Sequence, residues 1–230
     1  MHLGDITADR ADHSNITVWA AEVLRSRIAA GELLPGTKLS EQQLAASLQV
    51  SRNTLREAFT MLSLESVVTR YPNRGVFVAS PDADAVREIY RVRRMLEPAA
   101  VLWGPELDLP RLDAVIAQAR GAASRGIVSE MAAANQDFHQ ALVAASGSAK
   151  LAMMMSRVLA EMRLVFHAMS AEPDFHSHYV EQNAALVELL RSGRRAEAAE
   201  KLLGYLDAAE AELLGHLAAN PAKSGPATGS

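Results

Sequence analysis

The segment Ser51-Arg52-Asn53-Thr54-Leu55-Arg56 gathers two guanidinium groups, a carboxamide and two hydroxyls at the start of one helical pattern. Leu55, Ala58, Phe59 and Leu62 follow at i, i+3, i+4 and i+7, an apolar stripe that leaves Arg52, Asn53 and Arg56 off the buried face. An exposed Arg can pair bidentately with guanine O6 and N7, and an Asn with adenine N6 and N7. A helix N-terminus also offers backbone N–H groups to phosphate. The bland alternative is a solvated surface helix. A second group, Arg74-Gly75, sits in the turn Pro72-Asn73-Arg74-Gly75 between the β-type runs Val67–Tyr71 and Val76–Val78. That is a hairpin with a basic tip suited to close approach to a nucleic-acid backbone or minor groove.

A third group lies further along. Arg93 interrupts the apolar seam Val86, Ile89, Leu96, Ala100; Asn135 and His139 interrupt that of Met131, Phe138, Leu142. Asn183 and Tyr205 occupy inward positions of two later helical patterns. Buried polar groups are costly unless paired, so four helices aiming polar groups inward imply a polar cavity. There Arg93 would favour a carboxylate or phosphate. The alternative is that Arg93 pairs with Glu97 at i+4 and the others satisfy backbone or water. His176 and His178, at i, i+2 beside Pro173, belong to a loop or to different helix faces and are not expected to share a ligand. Met153-Met154-Met155 and Met162 suit core or dimer-surface filling rather than a cofactor box.

The elements that position these groups divide in two. Residues 1–80 hold 8 basic and 8 acidic side chains, so the chain's net charge of −4 comes wholly from the 15 basic and 19 acidic residues after them. Alanine occurs 10 times before residue 81 and 32 times after, which favours helix in the second part. Ser80-Pro81-Asp82 marks the boundary. The first domain, 16–80, starts with a helix that ends before Gly31. Ser40 then caps a short helix to about Leu48, with Gln43 at the capping-box position, and Ser51 caps a second to about Leu64. The second domain, 82–219, reads as helices near 82–103, 109–124, 127–146, 148–171, 176–192 and 194–219. The expected fold is mainly α: a winged helix-turn-helix of three helices plus a small β-hairpin wing, then an antiparallel bundle of about six helices. The flanks 1–15 and 220–230 are polar and expected to be disordered.

Composition bounds the chemistry. The chain has 230 residues and no cysteine, which excludes disulfides, thiolate zinc sites and cysteine nucleophiles. No window approaches the ~18 uninterrupted apolar residues of a membrane span, and the first residues lack a signal-peptide core. A cytoplasmic protein with no membrane partner is the expectation. No nucleophile–base–orienter set is visible, so an enzyme is not expected.

Residues 16–80, above all PGTKLSEQQLAASLQVSRNTLREAF and RYPNRGVFV, closely resemble the winged helix-turn-helix of GntR-type bacterial transcription regulators. The resemblance implies duplex operator DNA as partner, with Arg52, Thr54 and Arg56 as the main helix contacts and Gly75 as the wing contact. Gln42, Ser51, Asn53 and Arg74 complete the expected DNA-binding set. Gln42 stands where many members carry an Arg that reads DNA, and Asn53 where Thr or Pro is usual. These departures bear on the operator sequence rather than on binding.

VRRMLEP, NQDFHQALVAASGSAKL and EQNAALVELLRSGRRAEAAEKLLGYL resemble the FCD effector-binding domain of the FadR subfamily, in its shorter, VanR-like branch. Many members hold a divalent metal through an Asp and three His, at positions that here read Asn135, His139, Asn183 and Tyr205. Only His139 survives, so no metal and no cofactor are expected. The resemblance implies a homodimeric, ligand-responsive regulator, with repression the default sense. It would bind a pseudo-palindromic operator and be released by a small organic-acid effector held by Arg93, Asn135, His139, Asn183 and Tyr205. The rivals are a metal-dependent sensor, an enzyme using His139 as base, and an architectural DNA binder without effector.

Overall fold

The computed structural model describes residues 15–105, 107–168 and 173–219. The expected disordered flanks 1–14 and 220–230, and the helical stretch expected at 169–171, lie outside these residues. The chain splits into two compact units between Ser80 and Pro81.

In the first unit α1 (Ile16–Ala29) opens on Asn15, whose Oδ1 accepts from the backbone N–H groups of Thr17 and Val18. Asn15, expected in the tail, is thus the first cap. Strand β1 (Lys38–Leu39) leads to α2 (Glu41–Leu48), capped by Ser40 through the Gln43 N–H at 3.4 Å. Gln49 ends α2 with a left-handed φ of 53°, and this makes the tight turn to α3 (Arg52–Leu64). Ser51 caps α3 by accepting from the Thr54 N–H at 3.0 Å. Leu55, Ala58, Phe59 and Leu62 are fully buried, with Trp19, Leu24 and Ile28 of α1 buried in the same unit. β2 (Val68–Tyr71) and β3 (Gly75–Val78) form the expected hairpin.

The sheet has a third strand that sequence reading did not foresee. Its order is β1-β3-β2, with Lys38 opposite Phe77 and Leu39 opposite Val76. Two residues are too few to show the period-2 alternation of a strand, so only the distant pairing defines β1.

The second unit is helical: α4 (Ala83–Trp103), α5 (Leu109–Arg125), α6 (Val128–Ala144), α7 (Ala149–Ala168), α8 (Pro173–Arg191) and α9 (Arg195–Ala219). α4 packs most extensively on α9, α5 on α6 and α8, and α6 on α7. One apolar core drawn from all six helices joins them, Phe138, Leu142, Leu186, Leu202 and Leu206 among its members. The α4 break falls at Gly104, where a Cβ would collide with the carbonyl groups of Ala100 and Ala145. α8 begins at Pro173 rather than near 176, because Pro suits the first helical position. His176 and His178 therefore both lie on α8, the first buried against Phe166 and Phe175 and the second exposed. Among the described residues no helix is long and apolar enough to cross a membrane.

Candidate functional sites in the winged unit and the helical bundle

The apolar stripe of α3 is seated in the first unit, so its N-terminal turn faces outward. Arg52, Asn53 and Arg56 are exposed, as is Gln42 on α2. Ser51 is spent on capping: its Oγ also shares a 2.8 Å hydrogen bond with Thr54 Oγ1, which fixes both hydroxyls at the helix start. Arg56 is held by a residue from the preceding helix, its Nε donating to Glu41 Oε2 at 2.9 Å. From the hairpin, Arg70 Nη2 donates to the Arg56 carbonyl at 2.6 Å and to Thr60 Oγ1 at 2.8 Å. The wing strand is thereby tied to the middle of α3. Asn53 Nδ2 donates to Glu57 Oε1 at 3.0 Å, and the other Glu57 oxygen accepts from Thr17 Oγ1 at 3.1 Å. Arg52 has no hydrogen bond or ion pair among the described residues.

At the wing tip the Arg74 guanidinium stands 5.6 Å from the Tyr71 ring centre and 6.0 Å from that of Phe77. The two rings meet edge to face at 5.5 Å and form a prop for the cation. Gly75, with φ of 102°, turns the chain into β3 in a conformation that side chains resist. Lys38 Nζ lies 5.9 Å from the Phe77 ring and its Cε runs beside Gly75, which brings a second cation to the wing next to Arg74. Sequence reasoning missed Glu41, Arg70 and Lys38 as neighbours of the expected contacts. Their charges were visible, but nothing in local periodicity signals pairings 14 or 15 residues apart.

In the second unit the expected inward residues meet in one chain of hydrogen bonds. Arg93 and Glu97, both on α4, pair at 2.6 Å with essentially no exposure. The i+4 pairing weighed as the bland alternative is therefore present. Glu97 Oε2 also meets His139 Nδ1 at 2.6 Å, and His139 Nε2 meets Tyr205 OH at 3.0 Å. Tyr205 OH also lies 3.1 Å from Asn135 Oδ1, so its single proton serves either that oxygen or His139 Nε2, and Asn183 Nδ2 donates to the same oxygen at 2.7 Å. Helices α4, α6, α8 and α9 are joined by these five contacts. Within this hydrogen-bonded cluster, Arg93 Nη2 and Asn183 Oδ1 are buried with no hydrogen-bond partner among the described residues. Glu97, absent from the expected set, is the hub. Its place one turn after Arg93 was legible; its contact with His139 was not.

The electrostatics follow from burial and pairing. Burial opposes the charged form of Glu97, but Arg93 and His139 outweigh it and hold the carboxyl down to about 2. Glu97 in turn raises Arg93 despite its burial. Burial lowers His139, as does Arg93, against the pull of Glu97. Neutral His139 then donates Nδ1–H to the carboxylate. Burial lifts Tyr205 well above the ordinary phenol range. Tyr90, under the Arg93 guanidinium at 4.9 Å, is pushed up to about 12, chiefly by burial.

This donor set does not fit a divalent metal. Both ring nitrogens of His139 are engaged, the Tyr205 phenol keeps its proton, the remaining positions are amides, and a guanidinium shares the cluster. Among the described residues no group of three or more His, Cys, Asp or Glu side chains could hold a metal ion.

An exposed, polar recognition-type helix braced by a wing, followed by a helical bundle with a buried polar chain, defines a class of two-domain regulatory proteins. The pattern of bacterial regulatory proteins of the gntR family matches residues 18–78, and that of the FCD domain matches residues 88–208. The chain belongs to the gntR family and carries an FCD domain. It is similar to the crystal structure of a GntR transcriptional regulator from Rhodococcus sp. RHA1, with 37% identity and a TM-score of 0.82, over 86% of this chain and 97% of that one. It is 31% identical over 140 residues, 59% of this chain and 62% of the relative, to the HTH-type transcriptional regulator YdhC of Bacillus subtilis (strain 168). The gluconate operon transcriptional repressor of the same organism is 40% identical over 80 residues, 35% of this chain and 32% of the relative. The chain thus spans less than two thirds of the length of these two curated relatives. These relatives carry the names of transcriptional regulators, not of enzymes.

Proposed function

We propose that this chain is a cytoplasmic, ligand-responsive transcription regulator that binds a pseudo-palindromic DNA operator as a homodimer, one half-site per protomer. The observation that carries the reading is the joint exposure of Arg52 and Arg56 at the N-terminal turn of a helix whose other face is wholly buried. Arg52, Asn53 and Arg56 would address base edges, with Gln42, Ser51 and Thr54 beside them. Arg74 and Gly75 would approach the backbone from the wing. The sense of regulation is repression, as the name of the gluconate operon relative suggests.

The effector would be a small carboxylate held in the helical domain among Arg93, Asn135, His139, Asn183 and Tyr205. Arg93 Nη2 and Asn183 Oδ1 support this, since a buried donor and a buried acceptor left without partners are each destabilising by ~1–3 kcal/mol. A carboxylate oxygen would complete the first, and a hydroxyl or N–H of the same molecule the second. Such an acid acts only if it binds the DNA-competent and DNA-incompetent dimers with different affinity.

Selection of bound sites from a random duplex pool tests the DNA reading. The expected product is an inverted repeat with half-sites about one helical turn apart; recovery of unenriched sequence would overturn it.

A further inference from the structure

The segment from Lys38 to Ser80 carries five basic residues (Lys38, Arg52, Arg56, Arg70, Arg74) and three acidic ones (Glu41, Glu57, Glu65). A surface built only for attraction to phosphate would not carry carboxylates beside its reading groups, because each one repels the backbone. Glu65 is turned to another use, held by Arg25 of α1 at 2.9 Å through both carboxylate oxygens. The other two stand against the very side chains expected to read bases. Glu41 takes the Nε edge of Arg56, and Glu57 takes the amide nitrogen of Asn53.

We propose that Glu41 and Glu57 are specificity-determining residues of the DNA interface, positioning Arg56 and Asn53 for base edges and suppressing their use on phosphate. This rests on the reading of α3 as the recognition helix. With Nε committed to Glu41, Arg56 keeps its terminal Nη groups for a guanine edge, and its charge is already balanced. With one of its two Nδ2 protons committed to Glu57, Asn53 has its amide plane fixed and keeps Oδ1 and the second N–H for a base edge. The second Glu57 oxygen is anchored on Thr17 of α1, so this acceptor is braced from outside α3. The partners are solvent-accessible, at 61% for Arg56 and 34% for Glu41. Such pairs contribute little to folding, and their removal should show in recognition rather than in stability.

The test uses the full chain in four forms: native, Glu41→Gln, Glu57→Gln, and Glu32→Gln, the last making the same charge change where the carboxylate pairs with Arg27. Each is checked for an unchanged melting temperature, titrated on random duplex across a salt series, and used to select sites from a random duplex pool. In Glu41→Gln, affinity for random duplex rises several-fold. The slope of log affinity against log salt steepens by about 0.9 for each Arg released to phosphate, and the guanine preference at one half-site position flattens. Glu57→Gln loosens the neighbouring position, while Glu32→Gln leaves base preference as in the native chain. Unchanged base preference in both Glu41→Gln and Glu57→Gln would overturn the proposal. So would equal changes in Glu32→Gln, which would make the effect one of net charge. Arg52→Ala and Arg56→Ala are run alongside. If both bind DNA as the native chain does, the recognition-helix reading itself fails and the proposal falls with it.

Discussion

His139 Nδ1 lies 2.6 Å from Glu97 Oε2, with neither side chain exposed, while Arg93 Nε holds the other carboxylate oxygen at the same distance. One carboxylate thus serves two partners on two helices. The centre of the FCD domain carries an ionic and hydrogen-bonded chain of side chains.

That arrangement predicts an asymmetric response to mutation. Glu97→Ala leaves a buried guanidinium uncompensated and should destabilise the fold by about 3–5 kcal/mol. Replacing the pair together, Arg93→Met with Glu97→Leu, should cost distinctly less because no charge remains buried. Urea unfolding of the three chains checks this; equal losses would show that the pair carries no buried charge penalty.

Acid should weaken the fold in two stages of the same sign. His139 sits below its unfolded value of 6.5, so its contribution is present above that pH and is lost as pH falls from 6.5 toward its lower folded value. Glu97, held at about 2 against 4.5, contributes stability present above 4.5 and lost as pH falls toward 2. Melting temperatures measured from pH 8 downward should fall in both windows, and His139→Gln should remove the first. A native chain whose melting temperature is flat through pH 6.5 would contradict the burial of a neutral imidazole.

Chelators and divalent zinc should leave the melting temperature of the native chain unchanged. Restoring the family's ligand types, with Asn135→Asp, Asn183→His and Tyr205→His together, should create a zinc-dependent rise. A zinc-dependent rise in the native chain would show ligands outside the His139 cluster.

Gly75→Val should destabilise the winged unit by about 1–3 kcal/mol, since φ of 102° is hostile to a β-branched side chain. Loss of the Arg74 stacking on Tyr71 and Phe77 should accompany it. Circular dichroism melts report the first, and tyrosine fluorescence the second. A variant as stable as the native chain would mean that the wing turn relaxes without cost.

The winged unit was legible wherever its signals are local. Ser40 and Ser51 announce their helices by capping, and the stripe from Leu55 to Leu62 fixes which face of α3 is buried. β1 was not legible, because Lys38 and Leu39 become a strand only by pairing with Phe77 and Val76. In the helical unit the inward register of Arg93, Asn135, His139, Asn183 and Tyr205 could be read from the spacing of apolar residues. Their order in one hydrogen-bonded chain could not, since 42 positions separate Glu97 from His139 and 66 separate His139 from Tyr205. The i+4 pairing of Arg93 with Glu97 is local and was visible as an alternative. What chemistry each guanidinium keeps free depends on distant partners such as Glu41, which only the fold brings together.

The proposed regulatory role requires that the exposed edge of α3 read duplex DNA. Arg52 is the cleanest probe, because it is exposed and has no partner among the described residues, so its removal disturbs no other contact. The measurement is fluorescence anisotropy of a duplex selected by the native chain, titrated with native protein and with Arg52→Ala at physiological salt. A lost base contact of ~1–3 kcal/mol predicts roughly 5- to 150-fold weaker binding, with an unchanged melting temperature. Equal affinity for the selected duplex in the folded variant would contradict the assignment of α3 as the recognition helix.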